Sequence, residues 1–361
     1  MTPLRHSQKE IRGFPRRELA PGYSISRIIK GGWQLAGGHG AVDRDRAVRD
    51  MRRFVESGIT TFDCADIYTG VEKLIGDFLR REKDAFTSGN LPPVQVHTKF
   101  VPDLDQLKYV DRKHTEKIID RSLRRLNVER LDMVQMHWWD YSVDGYVAAA
   151  GFLKDLQQAG KVRHIGVTNF DARRLRRLMD AGIPVVSNQV QYSVLDRRPE
   201  TALVDLCRRT PIQLLAYGTV AGGFLSEYWM DRTPPEGLDN RSLIKYRLII
   251  QEFGGFDLFQ ELLRVLQSVG ACHGTGIAET AVRYILDKPG VAAVIVGAGH
   301  SRRLPGLMKI KKINLIQKDR RDIQAVLDRA RGPAGPVYAL ERDREGPHGR
   351  IMKYNLNRLE E

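Results

Sequence analysis

Asp63, Asp66 and Tyr68 crowd the end of an apolar stretch, GITTFDCADIY. Carboxylates inside such a run are costly unless something pairs with them. Lys99, at the end of VQVHTKF, is the counter-charge that makes burial of Asp63 tolerable. A lysine held near Tyr68 favours the phenolate and lowers a pKa that is about 10 when unperturbed. Tyrosine then becomes a usable proton donor near neutrality. His137, at the end of LDMVQMHW, could donate a hydrogen bond to a carbonyl oxygen and orient it. A proton donor and a polarising histidine, with no metal cluster or activated nucleophile in the pattern, suit carbonyl reduction. The hydride then comes from a cofactor. Asp66 reads as a turn or helix-entry residue.

Positioning these groups is the work of a regular alternation. Short apolar runs, SRIIKGGWQ, TTFDCAD, VQVHTKF, DMVQMHW, RHIGVTN, PVVSNQVQY, QLLAYGT and AAVIVGA, read as strands. Their near-continuous apolar character is that of parallel strands covered on both faces. Amphipathic segments such as RDRAVRDMRRFVES, TEKIIDRSLRRLN and GYVAAAGFLKDLQQAG lie between them. This repeat predicts an α/β fold, an eight-stranded parallel (β/α)8 TIM barrel in a single domain. The barrel is expected over about 25–332, with 333–361 as a C-terminal extension. In such a barrel the C-terminal strand ends converge on one mouth. Read in order, those ends bear Asp63 with Tyr68, then Lys99, His137, Asn169, Gln189 and Tyr217. The beat breaks after the seventh strand, where 221–255 reads as a long Gly- and Pro-rich loop, the usual place for a lid. The final stretch, GPAGPVYALERDREGPHGRIMKYNLNRLEE, reads as irregular and charged.

Composition narrows the function class. With 42% hydrophobic and 28% charged residues, the 361-residue chain is ordinary for a soluble globular protein. No apolar run approaches a membrane span, and the first residues have no apolar core of a secretory signal. Cys64, Cys207 and Cys272 are scattered without a CxxC, which argues against a disulfide framework and against a zinc site. The expectation is a cytoplasmic protein with no metal and no membrane partner. The net charge of +14 gathers in RRLRR (173–177) and in 301–321. Those runs lack the interleaved aromatics of a nucleic-acid stacking platform. They read as solvated helix faces, part of them serving an anionic ligand, and no nucleic-acid partner is expected.

The residues at the strand ends carry a resemblance. Asp63 and Tyr68 in FDCADIY, Lys99 in VHTKF and His137 in LDMVQMHW stand in the order and spacing of the aldo-keto reductase superfamily, which the chain resembles over about residues 25–310. The segments IGVTNF, SNQVQYS and LLAYG resemble those that hold nicotinamide in the family, and VAAVIVGAGHS resembles the adenosine-phosphate end.

The resemblance implies Tyr68 as general acid, Lys99 as its pKa modulator, Asp63 as the partner of Lys99, and His137 as substrate orienter. It implies that Asn169 and Gln189, with Thr168 beside them, grip a carboxamide and that Tyr217 stacks on the nicotinamide. Gly218, Thr219 and the loop from Gly297 then meet the pyrophosphate, and Trp33, Trp138 and Trp139 wall the substrate pocket. Trp138 and Trp139 are adjacent, so on a strand only one of them faces that pocket. Two segments depart from the family pattern. YGTV stands where relatives commonly read Tyr-Ser-Pro-Leu, and Gly299 stands at a usual arginine, with Arg302 and Arg303 one turn on. An arginine pair suits a 2′-phosphate, so the expected cofactor is NADP, NADPH being favoured over NADH. The expected partner is a small-molecule carbonyl substrate, on a monomer or weak oligomer. A cofactor-binding regulatory subunit on the same barrel is the alternative.

Overall fold

The computed structural model describes residues 13–37, 40–238, 240–297 and 299–357. Its strands in chain order are β1 (Arg16–Ala20), β2 (Tyr23–Ser26), β3 (Ile28–Gly31), β4 (Thr61–Asp63), β5 (Gln95–Phe100), β6 (Leu131–Met136), β7 (Val162–Thr168), β8 (Val185–Gln191), β9 (Gln213–Tyr217) and β10 (Val291–Gly297). Strands β3 to β10 form a closed barrel. Every barrel pairing is parallel, and the ring shuts where β10 pairs with β3, Val294 opposite Ile28. Each apolar run read as a strand overlaps one barrel strand to within a residue at its start or covers it whole.

Helices pack outside this ring for local reasons visible in the sequence. Asp43, Asp111 and Asp171 each cap a helix, their carboxylates accepting from the backbone N–H groups of Arg46, His114 and Arg174 at 2.7–2.9 Å. These bonds satisfy donors that a helix start otherwise leaves open. Helix Arg44–Glu56 buries Ala47, Val48, Met51, Phe54 and Val55, a single apolar stripe turned to the barrel wall. Helix Arg112–Leu126 ends on Asn127 in the left-handed conformation (φ 55°), a usual helix stop.

The antiparallel hairpin β1–β2 was not anticipated. It turns at Gly22, where φ is +67°, and Pro21–Gly22 is the turn signal that could have revealed it. Leu19, Tyr23 and Ile25 pack with Ile29, Met133, Leu215 and Ala293. Tyr23 also hydrogen-bonds across to His97 at 3.0 Å. Bonds from Arg16 to Gln95 and from Gln213 to the Glu18 carbonyl tie the hairpin to strand beginnings. It therefore plugs the N-terminal end of the barrel and leaves the opposite end as the mouth.

Two segments cover that mouth. The stretch expected to be loop over 221–255 instead contains helix Arg241–Phe253, capped by Asn240, whose side chain accepts from Ser242 and Leu243 N–H groups. Its buried residues Tyr246, Ile249, Ile250 and Phe253 recur at helical spacing. Tertiary packing of that stripe outweighs the Gly- and Pro-rich approach. The C-terminal extension folds over the other side through short turns at Ala339–Arg342 and Pro347–Arg350. Its anchor is Glu341, fully buried against Arg198 at 3.1 Å, with Asp196 at 2.6 Å from the same guanidinium and Lys245 at 3.7 Å from the carboxylate. Arg342 adds bonds to the Trp138 and Asn169 carbonyls.

Removing one partner of such a network strands a buried charge. Glu341→Ala is expected to cost about 3–5 kcal/mol, read as a lowered urea midpoint. Glu341→Gln is expected to cost less, because its amide retains a hydrogen bond to Arg198.

Candidate active site

At the C-terminal strand ends the chain encloses a cavity of about 390 Å³. Lys99, closing β5, projects its ammonium to Asp63 Oδ2 at 2.7 Å and to the Cys64 carbonyl at 2.8 Å. Burial opposes that charge, but Asp63 and Tyr68 outweigh it and lift the lysine above its ordinary value. Lys99 is a standing cation. The other Asp63 oxygen accepts from Gln189 Nε2 at 2.6 Å and from Gln135 Nε2 at 3.1 Å. With both oxygens engaged, Asp63 positions Lys99. Gln135 was not anticipated; it is fully buried in the middle of an apolar strand, and that placement is the only signal it offers.

Tyr68 departs from the expectation in sign. Burial pushes its phenol up, and the nearby Lys99 charge only reduces the rise. The Lys99 ammonium lies 5.1 Å from the ring centre. Tyr68 is thus protonated at neutral pH, and the Lys99 charge beside it would favour a phenolate there.

His137 also differs from the expectation. Its Nδ1 lies 3.1 Å from the Thr168 carbonyl oxygen, which can only accept, so Nδ1 carries the proton. Burial first, and then the Arg342 charge, lower the imidazole pKa to about 3. The ring is neutral with its proton on Nδ1, so Nε2 presents a lone pair. The one ring proton is spent on the Thr168 carbonyl, and not on the Nε2 side.

The groups expected to grip a carboxamide stand beside this cluster. Asn169, in the left-handed region at φ 62°, accepts from the Tyr217 hydroxyl at 2.9 Å through Oδ1. Gln189 spends its amide nitrogen on Asp63 and on Gln135. Among the described residues Asn169 Nδ2 and Gln189 Oε1 are left without a partner, one donor and one acceptor. That pair fits a primary amide, which offers an acceptor oxygen and a donor nitrogen. Thr168 lines the same wall, its hydroxyl bonded to the Gln189 carbonyl at 3.0 Å.

Further out, Gly218, Gly297 and Arg303 line the cavity. A Cβ on Gly297 would stand 2.9 Å from Gln34 Nε2, and one on Gly222 would stand 2.8 Å from the Tyr246 ring. Gly222, with φ +64° and that ring against it, needs bare backbone. Thr219 is fully buried and outside the cavity, and Arg302 is exposed outside it, so neither is brought to the site. Trp33 lines the cavity, edge-on to Tyr68 at 5.0 Å. Trp139 lines it as well, while Trp138 turns away and donates to the Val143 carbonyl at 2.9 Å. Neighbouring side chains leaving a strand point to opposite sides, which accounts for the split.

Sequence reasoning missed Arg241, Lys245 and Tyr246 of the covering helix, and Tyr338 and Met352 of the extension, all on the cavity wall. Asn240 ahead of a helix-spaced apolar run was the available signal for the first group. Among the described residues no group of three or more His, Cys, Asp or Glu is placed to hold a metal ion, and no helix is long and apolar enough to cross a membrane.

The family model for the aldo/keto reductase family matches residues 27–328. The chain belongs to the aldo/keto reductase family. It is 28% identical over 335 residues to aldo-keto reductase YhdN of Bacillus subtilis (strain 168), covering 90% of this chain and 97% of that one. It is 24% identical to L-glyceraldehyde 3-phosphate reductase of Escherichia coli O157:H7, over 84% of this chain and 87% of the relative. Among solved structures it is similar to the glycerol dehydrogenase AKR11B4 from Gluconobacter oxydans, with a TM-score of 0.74 at 23% identity, covering 89% and 98% of the two chains. Family membership and named reductase relatives make the protein an oxidoreductase on a (β/α)8 barrel, and nicotinamide cofactors are those of the family.

The buried neutral histidine of this reductase has a linkage consequence. Between pH about 3 and 6.5 the unfolded chain binds a proton on His137 that the native state does not. Its contribution is full above about 6.5 and is lost as pH falls toward 3, at about 1.4 kcal/mol per pH unit. The stability of wild type minus that of His137→Gln, from urea unfolding, is expected to rise with pH across that window and to level off above it.

Proposed function

We propose that the protein reduces an aldehyde or ketone to the alcohol with a nicotinamide cofactor, Tyr68 acting as general acid. The observation that carries this reading is the buried Asp63–Lys99 pair beside a protonated Tyr68, at the one end of the barrel the hairpin leaves open. When bound, the reduced nicotinamide supplies the hydride. Asn169 Nδ2 and Gln189 Oε1 are the groups that would hold its carboxamide, with Tyr217 as the adjacent aromatic platform. Gly218 and Gly297 let backbone approach the pyrophosphate, and the exposed head of Arg303 is the cation for a 2′-phosphate, which favours NADPH.

The chain's own chemistry is then short. Tyr68 gives its proton to the carbonyl oxygen as negative charge develops there. Lys99, held by Asp63, lowers the energy of the phenolate that results. Trp33 and Trp139 exclude water from the reacting carbonyl, which strengthens each of these interactions.

Turnover measured with NADPH and NADH against small aldehydes and ketones tests the reading. Tyr68→Phe is expected to lower kcat by about 10²–10⁴-fold with cofactor affinity retained; a variant as active as wild type would sink the assignment. For the phosphate end, Arg303→Ala is expected to raise the KM for NADPH about tenfold, equivalent to about 1.4 kcal/mol. The KM for NADH should hardly move, and parallel loss for both cofactors would remove Arg303 from that role.

A further inference from the structure

Asn169 stands one residue past the end of β7, buried on the cavity wall and in the left-handed region at φ 62°. A residue in a sparsely populated backbone region persists where its surroundings over-determine it. Three hydrogen bonds to three separate elements do so here. The Asn169 N–H donates to the Gln189 carbonyl of β8 at 2.8 Å. Its Oδ1 accepts from the Tyr217 hydroxyl of β9 at 2.9 Å. Its backbone carbonyl accepts from Arg342 Nη2 at 2.9 Å, and Arg342 belongs to the C-terminal extension. With these three groups engaged, Nδ2 is what Asn169 keeps for a ligand.

Arg342 is half-buried and lies outside the cavity lining, so it acts on a ligand only through other residues. Its guanidinium packs 4.2 Å from the Tyr141 ring centre and 5.2 Å from that of Tyr338. The same Nη2 meets the Trp138 carbonyl at 3.2 Å and the Tyr141 hydroxyl at 3.0 Å. A planar guanidinium packed against two rings presents its N–H groups in a fixed orientation. Its chain neighbour Glu341 is locked to Arg198. The extension thus sets where Arg342 sits, and Arg342 holds the backbone that bears Asn169.

We propose that Arg342 is a positioning residue for the nicotinamide end of the cofactor, holding the Asn169 carbonyl so that the Asn169 amide is set for the carboxamide. This rests on the nicotinamide-dependent reductase reading and makes the C-terminal extension part of its cofactor site. Arg342 itself touches neither cofactor nor substrate in this role. Gly297 and Arg303, assigned to the phosphate end, belong to β10 and the short turn after it. The Arg342 bonds go instead to Trp138, Tyr141, Asn169 and Val337. Loss of Arg342 is therefore felt at one end of the ligand only.

Titration calorimetry tests this with NADP+ and with 2′-phospho-ADP-ribose, the same molecule without nicotinamide. Wild type is compared with Arg342→Met, Asn169→Ala and the double variant, each checked for folding by circular dichroism. Arg342→Met is expected to raise the Kd for NADP+ about tenfold while the Kd for the fragment stays within about twofold. In the double variant the Kd for NADP+ is expected to match that of Asn169→Ala, because residues that act through one another do not add. Should wild type bind NAD+ rather than NADP+, NAD+ and ADP-ribose form the pair. Should Arg342→Met fail to fold, Arg342→Lys carries the same comparison, keeping the charge without the planar fork. Equal weakening of both ligands, an unmoved Kd for the whole cofactor, or additive losses in the double variant overturns the proposal and leaves the reductase reading standing. Wild type that binds neither cofactor overturns that reading, and the proposal with it.

Discussion

A lysine ammonium held inside a protein wall organises everything around it. Lys99 is 4% exposed, and a cation so placed survives only with an anion in contact and hydrogen bonds for both partners. Asp63 supplies the charge and the Cys64 carbonyl a second acceptor. The carboxylate in turn recruits Gln135 and Gln189, which also bond to each other at 3.0 Å. One charge thereby ties β4, β5, β6 and β8 together across the mouth. The same demand consumes the amide nitrogen of Gln189 and leaves its carbonyl oxygen for a ligand. Structure and chemistry are joined at the level of single lone pairs.

The barrel and its polar rim are legible in the sequence for one reason. Parallel strands covered on both faces must be apolar, so a polar residue that closes such a run marks the place where the strand emerges. Asp63, Lys99, His137, Asn169, Gln189 and Tyr217 all read this way, and the structure brings them to one cavity. Residue type, however, does not specify polarity or the sign of a shift. A lysine beside a tyrosine argues for a lowered phenol pKa, yet burial, which depends on the whole fold, decides the direction for Tyr68. A histidine near a substrate can donate or accept, and only the Thr168 carbonyl settles which.

The covering segments were harder to read because their structure is tertiary in origin. Helix Arg241–Phe253 follows a Gly- and Pro-rich approach. Glu341 and Arg342 look like two more surface charges in a charged tail. Glu341 is buried because Arg198 and Lys245, far away in sequence, receive it, and half-buried Arg342 is received by the Trp138 and Asn169 carbonyls. Lys245 belongs to the covering helix and Glu341 to the extension, so the two covers of the mouth share one ion network. Arg302 and Arg303 are adjacent in sequence and alike in type, and the short turn that carries them directs only Arg303 to the cavity.

The way the ring closes bears on how the chain is made. β3 finds one of its two neighbours, β10, only after almost the whole barrel has been synthesised, and the contact from Arg27 to the Ala292 carbonyl spans 265 positions. Until that strand leaves the ribosome, β3 and β9 are open edges with unpaired N–H and C=O groups, the kind of surface on which chains join one another. A chain stopped short of Val291 lacks the strand that closes the ring. Ring closure therefore depends on the last-made strand, and the nascent protein is most vulnerable to aggregation just before that strand arrives.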